Sequence, residues 1–168
     1  MLYEIIIHSF SNDNFLINHL SPKTMKIVIC GSIEFTPKIK EVADILTGYG
    51  HEVDIPLSSQ RIINGELTLE EFKKEKQLNG NGALRKIKDD VIKRYYNIIK
   101  ASDAILVLNL EKNGTVNYIG GNTFLEIGFA HVLNKPVYLY NDIPDTSYTD
   151  EIKAMQPVLL SGDLLKIQ

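Results

Sequence analysis

The chain alternates between short continuous apolar runs and longer stretches with helical periodicity. "MKIVICGS" (25–32) is an apolar run that ends in a glycine turn, the signature of a strand buried on both faces. "FTPKIKEVADILTGYGHEV" follows, with Ile39, Val42, Ile45, Leu46 and Tyr49 at helical spacing. Thr36 is placed to cap this helix, Pro37 suits its first turn, and Gly48 or Gly50 ends it. "HEVDIP" then reads as a second, shorter strand. "LRKIKDDVIKRYYNIIKASD" sets Ile87, Val91, Tyr95 and Ile98 along one helical stripe and leads into "DAILVLNL", a central strand. The helix "GGNTFLEIGFAHVLNK", the strand "PVYLYN", a short helix "EIKAM" and a last strand "PVLL" complete the order. Strands alternating with helices, without internal repeat, predict one doubly wound α/β domain of Rossmann-like or flavodoxin-like type. It has about five mostly parallel strands with helices on both faces.

Two stretches fall outside this rhythm. Residues 57–84 are polar and punctuated, with "LTLEEFKKEK" as a short exposed helix and "QLNGNGALR" as a mobile loop. An insertion at this place is either a lid over a site or a surface excursion without a role. Residues 1–24 read as an appendage ahead of the domain at 25–168, and its apolar start "MLYEIIIHSF" suits an extra strand. That start lacks a basic leader and a small-residue cleavage site, so it does not read as a signal peptide. Met25, directly before the first clear strand, is a candidate start in its own right.

Composition adds mainly exclusions. At 168 residues, 44% hydrophobic and 23% charged, the chain can bury one proper core. A net charge of −3 gives no general affinity for nucleic acid, and the mixed-sign basic stretch at 70–100 suits a solvated helix face. No run has the length of a membrane helix. The single cysteine, Cys30, rules out an internal disulfide framework, suits a reducing cytoplasm and reads as a small core residue.

In a doubly wound sheet, ligands bind beyond the carboxyl ends of the strands. "CGSIEF", "NLEKNGTVNYIGGN" and "NDIPD" fall at that edge. Gly31 and Ser32 offer backbone N–H groups and a hydroxyl to a phosphate or sugar oxygen, or serve only as a packing turn. In "YIGGNT", Gly120 and Gly121 permit close backbone approach, and Asn122 or Thr123 can cap the helix that follows. Glu126 stands in the first turn of that helix among Phe124, Leu125, Ile127 and Phe129. Its carboxylate either closes a capping box with Thr123 or does chemistry. His131 lies one turn further on, and no second ligand is spaced to suggest a metal; no cofactor is expected. A P-loop lysine motif, a complete dinucleotide fingerprint and a serine nucleophile elbow are all lacking, which argues against an ATPase, a dehydrogenase or an α/β-hydrolase.

Taken together, "ICGSI" (29–33), "ASDAILVLN" (101–109) and "GGNTFLEIGFAHVLNKPVYL" (120–139) resemble the nucleoside 2-deoxyribosyltransferase-like family, including its nucleotide N-hydrolase branch. The resemblance runs from about Met25 to the C-terminus. It implies a nucleoside or nucleotide substrate and Glu126 as the nucleophile that attacks its anomeric carbon. It further implies that Gly31, Ser32, Ile33, Asn109, Gly120, Gly121, Asn122 and Thr123 hold the substrate. A homodimer or higher oligomer is also implied, in which a late helix completes a neighbour's pocket. Lys153 in that helix then stands where it can meet a 5′-phosphate or remain solvated. The family's acid, eight residues before the Asp of its "SD" pair, is here Tyr95, so Tyr95 or the upstream Asp90 is the candidate proton donor. Asp103, the Asp of that pair, looks structural in the family. Three functions follow as expectations: N-glycoside cleavage or transfer, a non-catalytic nucleotide-binding module on the same fold, and a phosphoribohydrolase of the cytokinin-activating type.

Overall fold

The computed structural model describes residues 23–78 and 81–167. Five strands form one sheet: β1 (Lys26–Gly31), β2 (Glu52–Asp54), β3 (Ala104–Leu108), β4 (Val137–Leu139) and β5 (Val158–Leu159). All neighbouring pairs are parallel, in the order β2-β1-β3-β4-β5. This is the flavodoxin-like doubly wound order, in which the chain reverses its direction of travel between β1 and β3. The helices are α1 (Thr36–Gly48), α2 (Leu57–Ile63), α3 (Leu69–Leu78), α4 (Asn81–Lys100), α5 (Gly121–Val132) and α6 (Thr149–Ala154).

The two faces follow from strand alternation. From β1, Ile27 and Ile29 point to one face, where α1 and the C-terminal segment cover them through Ile39, Val42, Leu46, Leu164 and Ile167. Val28 and Cys30 point to the other, packed with Ile99 of α4, Ile127 and Ala130 of α5, and Ile152 of α6. Every residue of β3 is buried, as expected of a central strand covered on both sides. Fully burying each of its large aliphatic side chains stabilises the fold by about 1.5–3 kcal/mol. Hydrogen bonds tie the amino ends together: the Asp103 carboxylate accepts from Lys26 N at 2.7 Å, and Lys135 Nζ donates to Ser102 O at 2.5 Å.

Four local expectations are corrected. Thr36 does not cap α1 with its side chain. A short 3₁₀ turn, Ile33–Phe35, comes first, and Thr36 Oγ1 donates back to Ile33 O at 2.6 Å. Residues 57–63 are helical, although "LSSQRII" has weak periodicity. Tertiary bonds support them: Ser59 Oγ lies 2.9 Å from Thr36 Oγ1, and Leu57 N donates to the Tyr95 hydroxyl at 3.1 Å. The "QLNGNGALR" stretch belongs largely to the end of α3 and the start of α4, with residues 79–80 outside the described set. The α4 stripe runs through Tyr95 and Ile99, with Ile98 beside it, while Val91 is 39% exposed. The side chain of Ile87 falls outside the described residues, as does "MLYEIIIHSF", the extra strand expected in the appendage at 1–24.

Candidate functional site

The carboxyl ends of β1 and β3 open side by side at the reversal point, and the segments that leave them carry the candidate residues. After β1, Ser32 caps the 3₁₀ turn: its Oγ accepts from Glu34 N at 3.4 Å. Gly31 is needed for close packing, since a Cβ there would stand 3.1 Å from the Leu108 carbonyl oxygen of β3. Ile33 is half-buried beside it in the 3₁₀ turn.

After β3, Asn109 is fully buried and its side chain is committed to protein partners. Its amide donates to Asp142 O at 2.8 Å and Asn141 O at 3.4 Å, and its Oδ1 accepts from Asn141 N at 2.8 Å. Asn141 returns the gesture, donating from Nδ2 to Asn109 O at 3.0 Å. This side chain joins the ends of β3 and β4 and has no donor left for a ligand.

The next segment is a small hairpin. Asn113 and Gly114 both have left-handed φ, 51° and 78°, the pair a type I′ turn requires, and Lys112 and Thr115 exchange backbone hydrogen bonds across it. Lys112 uses this position to reach the β1 turn. Its Nζ donates to Ser32 Oγ at 2.9 Å, pairs with Glu34 at 3.2 Å and lies 4.9 Å above the Tyr118 ring. The Asn–Gly pair was the sequence signal for this hairpin, and Lys112 is a site-edge cation that the linear reading missed.

Helix α5 begins at Gly121, two or three residues earlier than a cap at Asn122 or Thr123 would place it. Gly120 is the N-cap and makes no side-chain cap bond. Gly121 and Asn122 are exposed, whereas Thr123 is buried. Glu126 therefore lies in the second turn, and no acidic residue occupies the first. Its half-buried side chain lies beyond the position that closes a capping box. Desolvation raises its pKa from the ordinary 4.5 to about 7, with the neighbouring Cys30 thiol as a smaller opposing effect.

Tyr95, from α4, is the third member of this group. It is only 8% exposed, and burial, then the Glu126 charge, push its phenol pKa well up. Glu126, Cys30 and Tyr95 thus come from α5, β1 and α4 to within electrostatic range of one another. Asp90 is exposed on α4, as is His131 at the end of α5. Lys153 is also exposed, with Asp150 of its own helix 3.8 Å away.

Two open hollows lie elsewhere on the surface. One of about 440 Å³ is at the amino edge, lined by Lys26, Asp54, Arg94, Asn97, Ile98 and Ala101. The other, about 490 Å³, lies at the carboxyl edge between residues 114–117 and 143–145. Neither lining includes Glu126; the case for a site at Glu126 rests on a desolvated carboxylate, not on cavity size. Among the described residues, no three His, Cys, Asp or Glu side chains gather as a metal site, and no helix is long and apolar enough to cross a membrane.

No family model matches the chain, and no curated protein matches it. Among solved structures, it is similar to a 2-deoxyribosyltransferase from the psychrotolerant bacterium Bacillus psychrosaccharolyticus. The TM-score is 0.44 and the identity 20%, over 68% of this chain and 70% of that chain.

Proposed function

We propose that this protein cleaves or transfers at the N-glycosidic bond of nucleosides or their 5′-monophosphates, with Glu126 as nucleophile. The observation that carries the reading is the state of Glu126. It is a half-buried carboxylate whose desolvation raises its pKa to about 7, near the edge at which doubly wound sheets bind ligands. A desolvated carboxylate is poor in stabilising partners until positive charge develops in front of it. An oxocarbenium-like centre supplies that charge, so the attraction is stronger in the transition state than in the ground state.

In this mechanism, Glu126 attacks the anomeric carbon as the C–N bond breaks, and the base departs with the bonding electron pair and takes up a proton. The phenol of Tyr95 remains protonated at neutral pH and is the candidate donor; Asp90, in solvent, is the weaker one. Water or a second base then attacks the glycosyl ester and frees Glu126. Gly31, Ser32 and residues 120–123 at the start of α5 border the substrate in this reading.

The experiment is a panel of nucleosides and their 5′-monophosphates assayed for free base. Release by the wild type, rising with pH through about 7 as Glu126 ionises, is the expected result. The Glu126→Gln variant should be inactive. Wild-type turnover by Glu126→Gln would remove the glutamate from the mechanism, and no release from any member would leave a nucleotide-binding module as the better account.

A further inference from the structure

The hairpin after β3 sends one lysine across the reversal point. Lys112 Nζ donates to Ser32 Oγ at 2.9 Å and lies 3.2 Å from the Glu34 carboxylate, both in the turn that follows β1. The Tyr118 ring, 4.9 Å from the ammonium, closes another side. The lysine side chain is 18% exposed and that of Glu34 31%, so the pair is partly withdrawn from water without being sealed. Among the described residues, Glu34 is the one carboxylate within ion-pair distance of Lys112. Ser32 Oγ accepts twice, from Lys112 and, at 3.4 Å, from Glu34 N, which leaves its own O–H to donate. An ammonium beside an unspent hydroxyl is a receptor for an oxyanion, and Glu34 Oε1 fills the lysine's half of it.

We propose that this cluster is a counter-ion switch: the phosphate of a nucleoside 5′-monophosphate takes the place of the Glu34 carboxylate on Lys112 and Ser32. The proposal rests on the function assigned above and selects the monophosphate within that substrate class. Charge sets the direction of the exchange. A phosphomonoester carries about 1.5–2 negative charges at neutral pH against one on the carboxylate, so the lysine is better matched after the swap. Lysine meets either anion as a point charge, without the bidentate fit that would tie it to a carboxylate. Parting the existing pair costs little, a factor of about five at most for a partly exposed contact. Without nucleotide, the same carboxylate keeps the cation neutralised.

The test is calorimetric titration of the full chain carrying Glu126→Gln, so that bound nucleotide stays intact, with nucleosides, their 5′-monophosphates and inorganic phosphate. This parent should bind a monophosphate about tenfold more tightly than its nucleoside. Adding Lys112→Met keeps an unbranched apolar stem beside Tyr118, removes the charge and should abolish that advantage. Adding Glu34→Gln removes the competing anion and should widen the advantage about three- to fivefold.

An advantage unmoved or reduced by Glu34→Gln means that Glu34 only braces the turn, and overturns the switch. Survival of the advantage in Lys112→Met does the same, as does binding of none of the compounds. Inorganic phosphate held as tightly as the nucleotide would make this a free-phosphate site and overturn its assignment to substrate. The function at Glu126 is judged apart, by base release from the chain that retains Glu126. If both substitutions act as expected but no base is released, the switch stands and the nucleophile falls. If base is released while both substitutions are silent, only the switch falls.

Discussion

Replacing Glu126 by Gln should make the protein more stable, and only above acidic pH. The carboxylate has a folded-state pKa of about 7 against an ordinary 4.5. A raised carboxylate pKa means that the unfolded chain ionises first. The stability held below the unfolded pKa is therefore lost as pH climbs toward the folded one. At ~1.4 kcal/mol per pKa unit, full ionisation costs about 3 kcal/mol. Because the side chain is not fully sealed from water, screening reduces the expected figure to about 2–3 kcal/mol. Glutamine keeps the shape and removes the titration. Urea unfolding of both proteins at pH 5 and pH 8 isolates the effect, since groups common to both cancel in the difference. Glu126→Gln should gain about 2 kcal/mol relative to wild type between the two pH values, or roughly 4–8 °C in Tm. A stability difference that is the same at both pH values would show that Glu126 ionises as freely as a surface carboxylate, and the argument for its reactivity would go with it.

Other substitutions probe the frame and the edge of the site. Gly31→Val pushes a branched side chain against the Leu108 carbonyl and should lower the urea midpoint by an amount equivalent to about 1–3 kcal/mol; an unchanged midpoint would mean that β1 and β3 separate freely. Asn109→Ala strips the β3–β4 junction of its buried amide and should cost about 2–3 kcal/mol in the same assay, whereas a surface-like loss of a few tenths would deny it that role. Lys112→Ala should lower kcat/KM on a 5′-monophosphate more than on the matching nucleoside, by about 1–3 kcal/mol, and Lys153→Ala should leave that ratio alone. The reverse ranking of the two lysines would move the phosphate to α6.

The frame was readable because it depends on local pattern. Runs such as "AILVL", short and bounded by polar residues, read as buried strands, and the spacing of Ile39, Val42 and Leu46 marks the buried side of α1. Helix α2 was not readable, because its support comes from partners distant in the chain, Thr36 and Tyr95. The turn occupied by Glu126 is hidden for a different reason. Two successive glycines suggest a loop, yet Gly121 is already helical and carries the glutamate past the reach of the helix end. The motif singled out Glu126, but placing Cys30 on the face covered by α5 required knowing which β1 parity faces that helix. That parity was available in principle from Val28 and Cys30 against Ile27 and Ile29, once the flanking helices were assigned to faces.

The segment between β3 and α5 is pinched at its base. Tyr118 N bonds to Leu110 O at 2.8 Å, and the Tyr148 hydroxyl donates to Ile119 O just beyond that neck. Residues inside the neck are thereby uncoupled from the placement of α5. The closure entropy of a flexible loop grows only logarithmically with its length. Extra residues at the Asn113–Gly114 tip would therefore leave Glu126 in place and change only how far Lys112 reaches. Chain length at this point is a free variable for evolution, able to alter the hollow bordered by residues 114–117 without disturbing the carboxylate on α5.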